Sequence, residues 1–353
     1  MVNHSPSLKD TAGVKEVLEA RNEPVSAETR SVTLDIAGRF FGHENALLFL
    51  VLIGLVIAMG VVTGGRTISK ANMINILLQS SIRGVASIGM AFVILCAGID
   101  VSIGGIGLFA AVLGASLMTD SFMNIVGAPV PFFVVLPIML LVGAGWGAVN
   151  GAAISRIGMP PLIVTLAIWE ITKGLAFQIG GGQSIGALPD GLAFVGSGTI
   201  GGIPVPVIIF AFTAIIAHFV LRYTTFGRSV YAVGGNPTSA WLSGIKVKTI
   251  QLVVYVIAGF LAGLAGIIMT GRVMSAAMVT LAGLEMDSIA AATVGGVSLS
   301  GGKGNLIGVI IGVLIIGVIN NAMSIIGAGP SVQGIVKGII IFTAVAVDYI
   351  RRA

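Results

Sequence analysis

The chain has 353 residues, of which 56% are hydrophobic and 9% are charged. A soluble domain carries about 25% charged residues, so this composition excludes a soluble protein and predicts an integral membrane protein. The formal net charge of +5 does not indicate nucleic-acid binding, because most basic residues flank apolar segments. The single cysteine, Cys96, excludes an internal disulfide and a cysteine zinc cluster.

The first 45 residues are the one part of the chain with soluble character. We expect residues 1–45 to form a cytoplasmic tail, disordered except for a short amphipathic helix around residues 32–41, and they lack a signal-peptide pattern. The transmembrane domain then covers residues 46–350. Its apolar segments have lengths that mostly suit the hydrocarbon core. They run over residues 46–62, 74–96, 103–118, 132–154, 162–179, 205–221, 252–270, 288–299, 306–322 and 335–347.

The predicted fold class is an all-α polytopic membrane protein of about ten transmembrane helices. With the N-terminus inside, the outer segments hold few of the 19 basic residues, so both termini are predicted to be cytoplasmic. The basic residues placed outside are Arg66, Lys70 and Arg272, and those within spans are Arg83, Lys173 and Lys337. We expect broken or re-entrant segments near residues 98–105 and 288–302, and a glycine-rich connection without span character before residue 205.

A polar segment at residues 225–245 lies between two long apolar segments and contains the signals of a short helix. Asn236 can cap its N-terminus, Pro237 suits the first helical position, and Gly244 suits the left-handed residue after its last turn. A helix of about two turns is not stable alone in water. We interpret it as a docking element, in a coupling loop over residues 222–250, that connects this membrane subunit to a cytoplasmic motor. Trp241 on this helix could fill a pocket of that partner.

Glycines recur four residues apart in several spans, which lets helices cross closely. They are Gly143, Gly147 and Gly151, then Gly259 and Gly263, and then Gly304, Gly308 and Gly312. Packing is the favoured interpretation of these rows. The sequences VSIGG at residues 101–105 and VSLSGG at residues 297–302 form a faint internal repeat, which either reflects duplicated halves, as in many transporters, or arises by chance.

Charged and amide side chains inside the apolar segments are candidates for the translocation pathway. Glu170 and Lys173 are three residues apart on one helix face and predict a structural ion pair or a pathway lining, with a proton or ion relay as the alternative. The other two basic residues within spans could pair likewise or extend toward the membrane surface. The adjacent amides Asn320 and Asn321 could bind a polyol, and hydrogen bonding between helices is an equal alternative.

Polar residues next to two of the spans offer a second set of candidates. Asp100 and Ser102 lie in the sequence AGIDVSIGG between the second and third spans. Asp100 either forms a turn or caps the third span, or it acts with Ser102 at the pathway or at the cytoplasmic gate. Glu285 and Asp287, ahead of the eighth segment, leave the same alternatives open.

Signatures of enzymes and metal sites are missing from the sequence. The segment GGVSLSGGKGN is nearest to a phosphate-binding loop, but Val297 stands where the first glycine belongs and Gly304 stands where Ser or Thr would bind Mg²⁺. The histidines His4, His43 and His218 are too scattered to form a metal site. We therefore expect no enzymatic activity, no metal and no cofactor bound by this chain.

Three stretches together resemble one transporter family: AGIDVSIGG, TTFGRSVYAVGGNPTSAWLSGI and SGGKGNLIGVIIGVLIIGVINN. They resemble the permease subunits of ribose-type bacterial ABC importers for monosaccharides, a family of inner-membrane components of binding-protein-dependent transport systems. The resemblance extends over about residues 45–349. Its motif positions include Gly98, Asp100, Ser102, Gly104, Phe226, Gly227, Arg228, Gly234, Gly235, Asn236, Ser243 and Gly244, with a Gly/Ser-rich run at residues 295–304.

The resemblance implies partners and a mechanism. A periplasmic sugar-binding protein would deliver a monosaccharide or polyol to a permease dimer in the lipid of the inner membrane, made of two copies of this chain or of this chain and a related permease. ATP, bound by a cytoplasmic ATP-binding subunit, would drive alternating access. The helix at residues 236–245 would be seated in a cleft of that subunit. The residues implied in coupling are Arg228, Asn236, Pro237, Ala240, Trp241, Ser243 and Gly244.

This sequence departs from the family pattern after Asn236, where Pro237, Thr238 and Ser239 replace the usual acidic and alanine residues. The departure puts cross-reaction with the ATPase of another system in doubt. Two other classes of function remain open: a secondary carrier driven by protons or sodium, and a membrane scaffold without transport. The carrier would work alone and lose transport when Glu170 is neutralised, and the scarcity of charge within the spans argues against it.

Overall fold

The structure is a computed structural model that describes residues 43–120 and 124–350. The predicted tail and its amphipathic helix lie outside the described residues, and one compact unit begins at Asn45. The helices, in chain order, are α1 (His43–Val62), α2 (Lys70–Leu95), α3 (Ile103–Met118), α4 (Phe132–Ala152), α5 (Pro161–Gly180), α6 (Asp190–Ser197), α7 (Val205–Tyr223), α8 (Thr225–Gly235), α9 (Pro237–Leu242), α10 (Val247–Val273), α11 (Leu284–Val294), α12 (Leu306–Ile325) and α13 (Pro330–Ile350).

Seven helices among the described residues are long and apolar enough to cross a membrane, namely α1, α2, α4, α5, α7, α10 and α12. Shorter apolar helices are α3 and residues Pro330–Ala346 of α13. The predicted all-α polytopic fold is therefore confirmed, while the number of ten crossings and the orientation of the termini stay predictions. Since a π-helical turn at Ala153–Ile157 continues α4, that span is longer than its α-helical part.

The predicted eighth segment is short, as expected, but it occupies different residues. Helix α11 covers Leu284–Val294 and rises only about 16 Å, roughly half of a hydrocarbon core. The prediction of residues 288–299 was wrong at its C-terminal end, because Gly295 ends the helix and Gly296 has a φ of +83°. Residues 296–305 then return to α12 without regular structure.

The centre of the bundle is formed by α2, α10 and α12. Within an apolar stretch of 18 residues in each helix, 78% of the residues of α2 and of α12 are buried, against 11% of those of α1. The predicted glycine packing is confirmed where α4 crosses α10: a Cβ atom at Gly143 would overlap with the carbonyl oxygen of Gly259, and one at Gly147 with that of Tyr255. Gly308 and Gly312 of α12 allow the same close approach to α11.

Two parts that showed no span character contain regular structure that the sequence did not predict. The glycine-rich connection holds α6 and a two-stranded hairpin, β1 (Thr199–Ile200) and β2 (Ile203–Pro204). The hairpin loop is Gly201–Gly202, and both residues have the positive φ that a two-residue turn of type I′ requires. The polar segment before Asn236 forms α8, whose N-terminus is capped by the Thr224 side chain accepting a hydrogen bond from the Gly227 N–H.

Candidate coupling surface and polar cavities

The short helix that the sequence predicts, α9, is present with both of its end signals. The Ser239 N–H donates a hydrogen bond to Asn236 Oδ1 at 2.9 Å, and Pro237 is the first helical residue. At the other end Gly244 has a φ of +83°, and the Ile245 N–H donates to the carbonyl oxygen of Ala240 at 3.0 Å. Bonds of this span are typical of a helix that ends at a left-handed glycine. Both ends of α9 are therefore defined by hydrogen bonds within residues 236–245.

Helix α9 presents an apolar surface away from the bundle. Ala240 of this helix is buried, whereas Trp241 is 67% exposed and Leu242 is 73% exposed. Arg228 of α8 is exposed as well, and Ser243 uses its hydroxyl to donate to the carbonyl oxygen of Ser239 at 2.9 Å. We call the residues Trp241 and Leu242 the α9 surface. It consists of large exposed apolar groups, which are enriched in the cores of protein-docking surfaces.

Helix α8 joins the α9 surface to the ends of α2 and α12 through backbone contacts. The Gly302 N–H donates to the carbonyl oxygen of Leu95 at 2.9 Å, and a Cβ atom at Gly234 would overlap with that same oxygen. Tyr231 Oη donates to the carbonyl oxygen of Gly304 at 3.0 Å. We call the meeting of Leu95, Gly234 and Gly302 the α8 joint. Because backbone atoms approach each other directly there, no flexible side chain lies between α8 and α2.

Burial raises the pKa of Tyr231, and the nearby Arg222 opposes this shift. The phenol therefore stays protonated over the physiological range and keeps its proton for the Gly304 carbonyl oxygen. Gly301 of the second repeat segment lies against the chain that precedes the first, since a Cβ atom at Gly301 would lie within 3 Å of the Ala97 side chain. Whether the two segments descend from a duplication stays a prediction.

Asp100 and Ser102 are fully buried and lie in the break between α2 and α3. The Ser102 N–H donates to Asp100 Oδ1 at 2.9 Å, the Ser102 hydroxyl donates to the same oxygen, and Asn150 Nδ2 donates to Ser102 Oγ at 2.7 Å. A carboxylate that accepts from the N–H two residues on forms an Asx turn. This geometry favours the turn-forming alternative for Asp100, and a role in the gate stays a prediction.

A cavity of about 820 Å³, lined mostly by apolar residues with several polar and charged ones among them, lies between α2, α10, α11 and α13, toward the Lys70 end of α2. Asp287 in its wall makes two ion pairs: Arg83 Nε lies 2.8 Å from Asp287 Oδ2, and Lys337 Nζ lies 2.8 Å from Asp287 Oδ1. The polar residues of this wall are Gln79, Arg83, Arg272, Asp287, Gln333 and Lys337. We call it the Arg83 cavity. The pairing alternative for Arg83 and Lys337 is thus correct, with a partner that the sequence did not identify.

A smaller cavity of about 220 Å³ shares a wall with the first. Residues 281–283 line both, and the smaller cavity is also lined by Trp169, Lys173 and Glu285. Lys173 Nζ lies 4.6 Å from the centre of the Trp169 ring, as in a cation–π contact. We call this smaller space the Trp169 cavity.

Glu170, Asn320 and Asn321 do not line either cavity. Among the described residues Glu170 and Lys173 form no ion pair, because Glu170 is exposed on α5 whereas Lys173 turns to Trp169. Asn321 and Asn72 exchange two hydrogen bonds, of 2.8 Å and 2.9 Å, which connect α12 to α2 and favour the helix–helix alternative. Asn320 is buried beside them, and its amide has no hydrogen-bond partner in the described chain.

Sequence reasoning missed the association of Arg83, Asp287 and Lys337. The signal was present in part, since each is an isolated charge in an apolar stretch and therefore calls for a partner. Within residues 43–120 and 124–350, no group of three or more His, Cys, Asp and Glu side chains could hold a metal ion.

Comparisons with known proteins identify the family to which the chain is similar. Residues 72–345 match the family described as branched-chain amino acid transport system / permease component. Ribose import permease protein RbsC of Bacillus subtilis is 39% identical over 340 residues, which cover 94% of this chain and 100% of the relative. RbsC of Haemophilus influenzae is 35% identical over 315 residues, covering 88% and 94%. D-allose transport system permease protein AlsC of Escherichia coli is 38% identical over 301 residues, covering 85% and 90%.

No solved structure matches the fold. The family match and the identities over most of the chain agree with the resemblance of the three motif stretches. The long apolar helices agree with a protein that crosses the membrane many times. The chain belongs to the permease-component family of ABC importers, among its ribose-type sugar permeases, which are multi-pass proteins of the inner membrane.

Proposed function

We propose that this chain is the transmembrane subunit of an ATP-driven importer for a monosaccharide or related polyol. A periplasmic binding protein delivers the sugar, a second permease copy completes the transmembrane pathway, and a cytoplasmic ATP-binding subunit supplies the energy. The chain itself binds no ATP and catalyses no reaction. The relatives named for ribose and allose import support the substrate class.

The observation that carries the proposal is the connection from the α9 surface to the bundle. Trp241 and Leu242 lie exposed on a helix that is capped at both ends, and α8 links this helix to α2 by contact of Gly234 with the Leu95 carbonyl group. A motor that binds the α9 surface therefore acts directly on the central helix of the bundle. With both termini inside, this surface lies in the cytoplasm, where ATP is available.

A secondary carrier needs an intramembrane carboxylate that binds and releases an ion. Glu170 is exposed on α5 outside both cavities, and Asp287 is held by two cations. Neither of these two carboxylates suits a relay, which counts against the carrier alternative that depends on Glu170.

The test is transport in proteoliposomes that contain the chain with its own ATP-binding subunit and binding protein. Uptake of labelled D-ribose, D-allose, L-arabinose and D-fructose is measured with and without internal ATP. We expect ATP-dependent accumulation of at least one sugar by the wild type. The Trp241→Ala variant should lose both this accumulation and the stimulation of the ATPase. Removing a large exposed aromatic anchor from an interface costs at least about 2 kcal/mol of binding free energy, or roughly thirtyfold in affinity.

Phe212→Ala is the matched control, because Phe212 is 64% exposed on the spanning helix α7 and lies away from the α9 surface. Its uptake should equal that of the wild type. Accumulation of a sugar by this chain alone under a proton or sodium gradient would contradict the proposal. Native mass spectrometry of the purified complex shows whether it contains one or two copies of this chain.

A further inference from the structure

Helix α11 carries two carboxylates on opposite faces. Glu285 and Asp287 are two residues apart, which places their side chains about 200° apart around an α-helix. Asp287 lies in the wall of the Arg83 cavity, whereas Glu285 lines the Trp169 cavity. A Cβ atom at Gly104 would overlap with Glu285 Oε2, so this carboxylate lies against the first turn of α3. One short helix therefore presents one acidic group to each of two cavities.

The two carboxylates are not equally paired. Asp287 binds two cations at 2.8 Å each. Glu285 is buried, forms no ion pair within residues 43–120 and 124–350, and its Oε2 has no hydrogen-bond partner there. A buried carboxylate is stable when it is paired or hydrogen-bonded. Lys173 lines the same small cavity and contacts only the ring of Trp169 among the described residues. The two opposite charges thus share a cavity without meeting in it.

The packing of α11 fixes one of its ends and leaves space beside the other. At the C-terminal end, a Cβ atom at Gly308 of α12 would overlap with the carbonyl oxygen of Gly295, so the two backbones touch. At the N-terminal end, residues 281–283 line both cavities, and Gly283 has a φ of +76°. Hinges are a few residues at the ends of elements that absorb changes of φ and ψ. Helix α11 can therefore pivot about its Gly295 end.

Such a pivot couples the two sets of charges. A shift of the N-terminal end of α11 toward α5 brings Glu285 nearer to Lys173. Because Asp287 is on the opposite face, the same shift takes it away from Arg83 and Lys337. These two cation side chains are 24% and 21% exposed, so water can solvate them when the carboxylate leaves. The two sets of ion pairs are therefore alternatives, as in an element with two discrete arrangements.

We propose that α11 is an ion-pair switch of the transport cycle. In one state Asp287 pairs with Arg83 and Lys337, as observed. In the other state Glu285 pairs with Lys173, and the Trp169 cavity of about 220 Å³ is closed. The proposal rests on the proposed function, since the binding of ATP to the partner subunit selects between the states. No ion is bound or released, because the carboxylates exchange partners within the chain.

The first experiment measures proximity in the complex of this chain with its ATP-binding subunit, in lipid nanodiscs. Two cysteine pairs are cross-linked with a short bifunctional methanethiosulfonate. Lys173→Cys with Glu285→Cys reports on the contact across the Trp169 cavity, and Asp287→Cys with Lys337→Cys reports on the contact at the Arg83 cavity. The chain has one cysteine of its own, Cys96, which is buried and therefore inaccessible to the reagent.

The control pair is Lys173→Cys with Met286→Cys. Met286 is the next residue of α11 after Glu285, is 46% exposed, and lines the Arg83 cavity but not the Trp169 cavity. Rates are compared between the nucleotide-free complex and a complex that holds ATP through a hydrolysis-deficient ATP-binding subunit. We expect the two test pairs to change in opposite directions by at least about fivefold, while the control pair stays slow in both states.

The second experiment tests the charges themselves, because the cysteine pairs remove them. Glu285→Gln and Lys173→Met should each lower ATP-driven uptake by about tenfold, measured per assembled complex after gel filtration. The double variant should be no slower than either single variant, since the contact is already lost in each. Losses that add would show that the two residues act independently and would overturn the switch. These variants decide the question if a cysteine pair fails to assemble.

Failure of the switch and failure of the proposed function are distinguishable. If the wild type accumulates a sugar with ATP while neither test pair responds to the nucleotide, the switch is overturned and the proposed function stands. The same conclusion follows if both pairs change in the same direction, because that result describes a general loosening of α11. If the wild type accumulates no sugar with ATP, the importer function fails, and the switch fails with it as a step of transport.

Discussion

The two ends of α2 are built in opposite ways. At its Leu95 end the backbone of α8 and of the segment before α12 touches α2 directly, through Gly234 and Gly302. Toward its Lys70 end α12 still contacts α2 through Asn321 and Asn72, whereas α10, α11 and α13 surround a cavity of about 820 Å³ beside α2, with ion pairs from Asp287 to Arg83 and Lys337. The direct backbone contact suits the entry of force, and the cavity leaves room for movement. One helix therefore connects a close backbone contact at one end to a cavity toward the other.

The largest effect is expected at the α8 joint. A Cβ atom at Gly234 would overlap with the backbone oxygen of Leu95, which cannot move aside like a side chain. We expect Gly234→Ala to cost about 1–3 kcal/mol of stability by overpacking and to reduce ATP-driven uptake more than tenfold. Uptake and ATPase stimulation in proteoliposomes measure the effect, after gel filtration shows that the variant is assembled.

Gly235→Ala is the control for this joint, since nothing lies within 4 Å of a Cβ atom at the next residue. It adds the same methyl group to the same helix and should transport like the wild type. Equal activity of the two variants would show that α8 does not transmit force through direct contact with α2.

The next effect concerns the cavity beside α2. Asp287→Ala removes the carboxylate that binds both Arg83 and Lys337. Breaking a buried pair costs about 3–5 kcal/mol, and because both cations are partly exposed we expect about 2 kcal/mol here. Thermal unfolding in detergent measures the loss. Lys337→Arg keeps a cation at the same place and should remain within about 0.5 kcal/mol of the wild type.

A smaller effect is expected where α12 meets α2. Asn321→Leu removes both hydrogen bonds to Asn72 and leaves Asn72 Oδ1 without its partner, while Asn72 Nδ2 keeps its bond to the Thr67 carbonyl oxygen, at a cost of about 1–2 kcal/mol. Uptake per folded molecule should be retained, because Asn321 contacts a helix and lines neither cavity. A raised KM for the sugar with unchanged thermal stability would instead return Asn321 to the pathway.

The sequence predicted the spanning helices well because each is recorded locally, in a long apolar run with proline or glycine at its ends. The predicted segment at residues 103–118 agrees with α3, and the caps of α9 lie within nine residues of chain. Helix α8 was missed because the six glycine and hydroxyl-bearing residues at positions 225–235 obscure a buried stripe that includes Val230 and Val233. This stripe packs against α2, α7 and α10, which are distant or separate elements that local sequence does not reveal.

The candidate site was harder to predict because its members are far apart in sequence. Arg83, Asp287 and Lys337 come from three helices, and no local pattern states that their faces meet. Glu170 and Lys173 illustrate the reverse error. Their spacing permits an ion pair, but the neighbouring Trp169 offers the Lys173 ammonium a ring face, so the ion-pair alternative was wrong, while a role in lining the pathway stays a prediction.

The smallest effect is expected for a substitution of Glu170, which lies on α5 and not on α2. Glu170 is exposed on α5, while Thr172 and Ile168 on the opposite face of that helix are buried. An ATP-driven importer needs no ion relay at this position, so Glu170→Gln should keep uptake within about twofold and stability within about 0.5 kcal/mol of the wild type. Uptake is measured with ATP present and again with a proton gradient alone. A variant that loses accumulation while its ATPase is still stimulated by the binding protein would place Glu170 in the path of the sugar or of a coupled ion, and the division of labour between the two ends of α2 would then have to include α5.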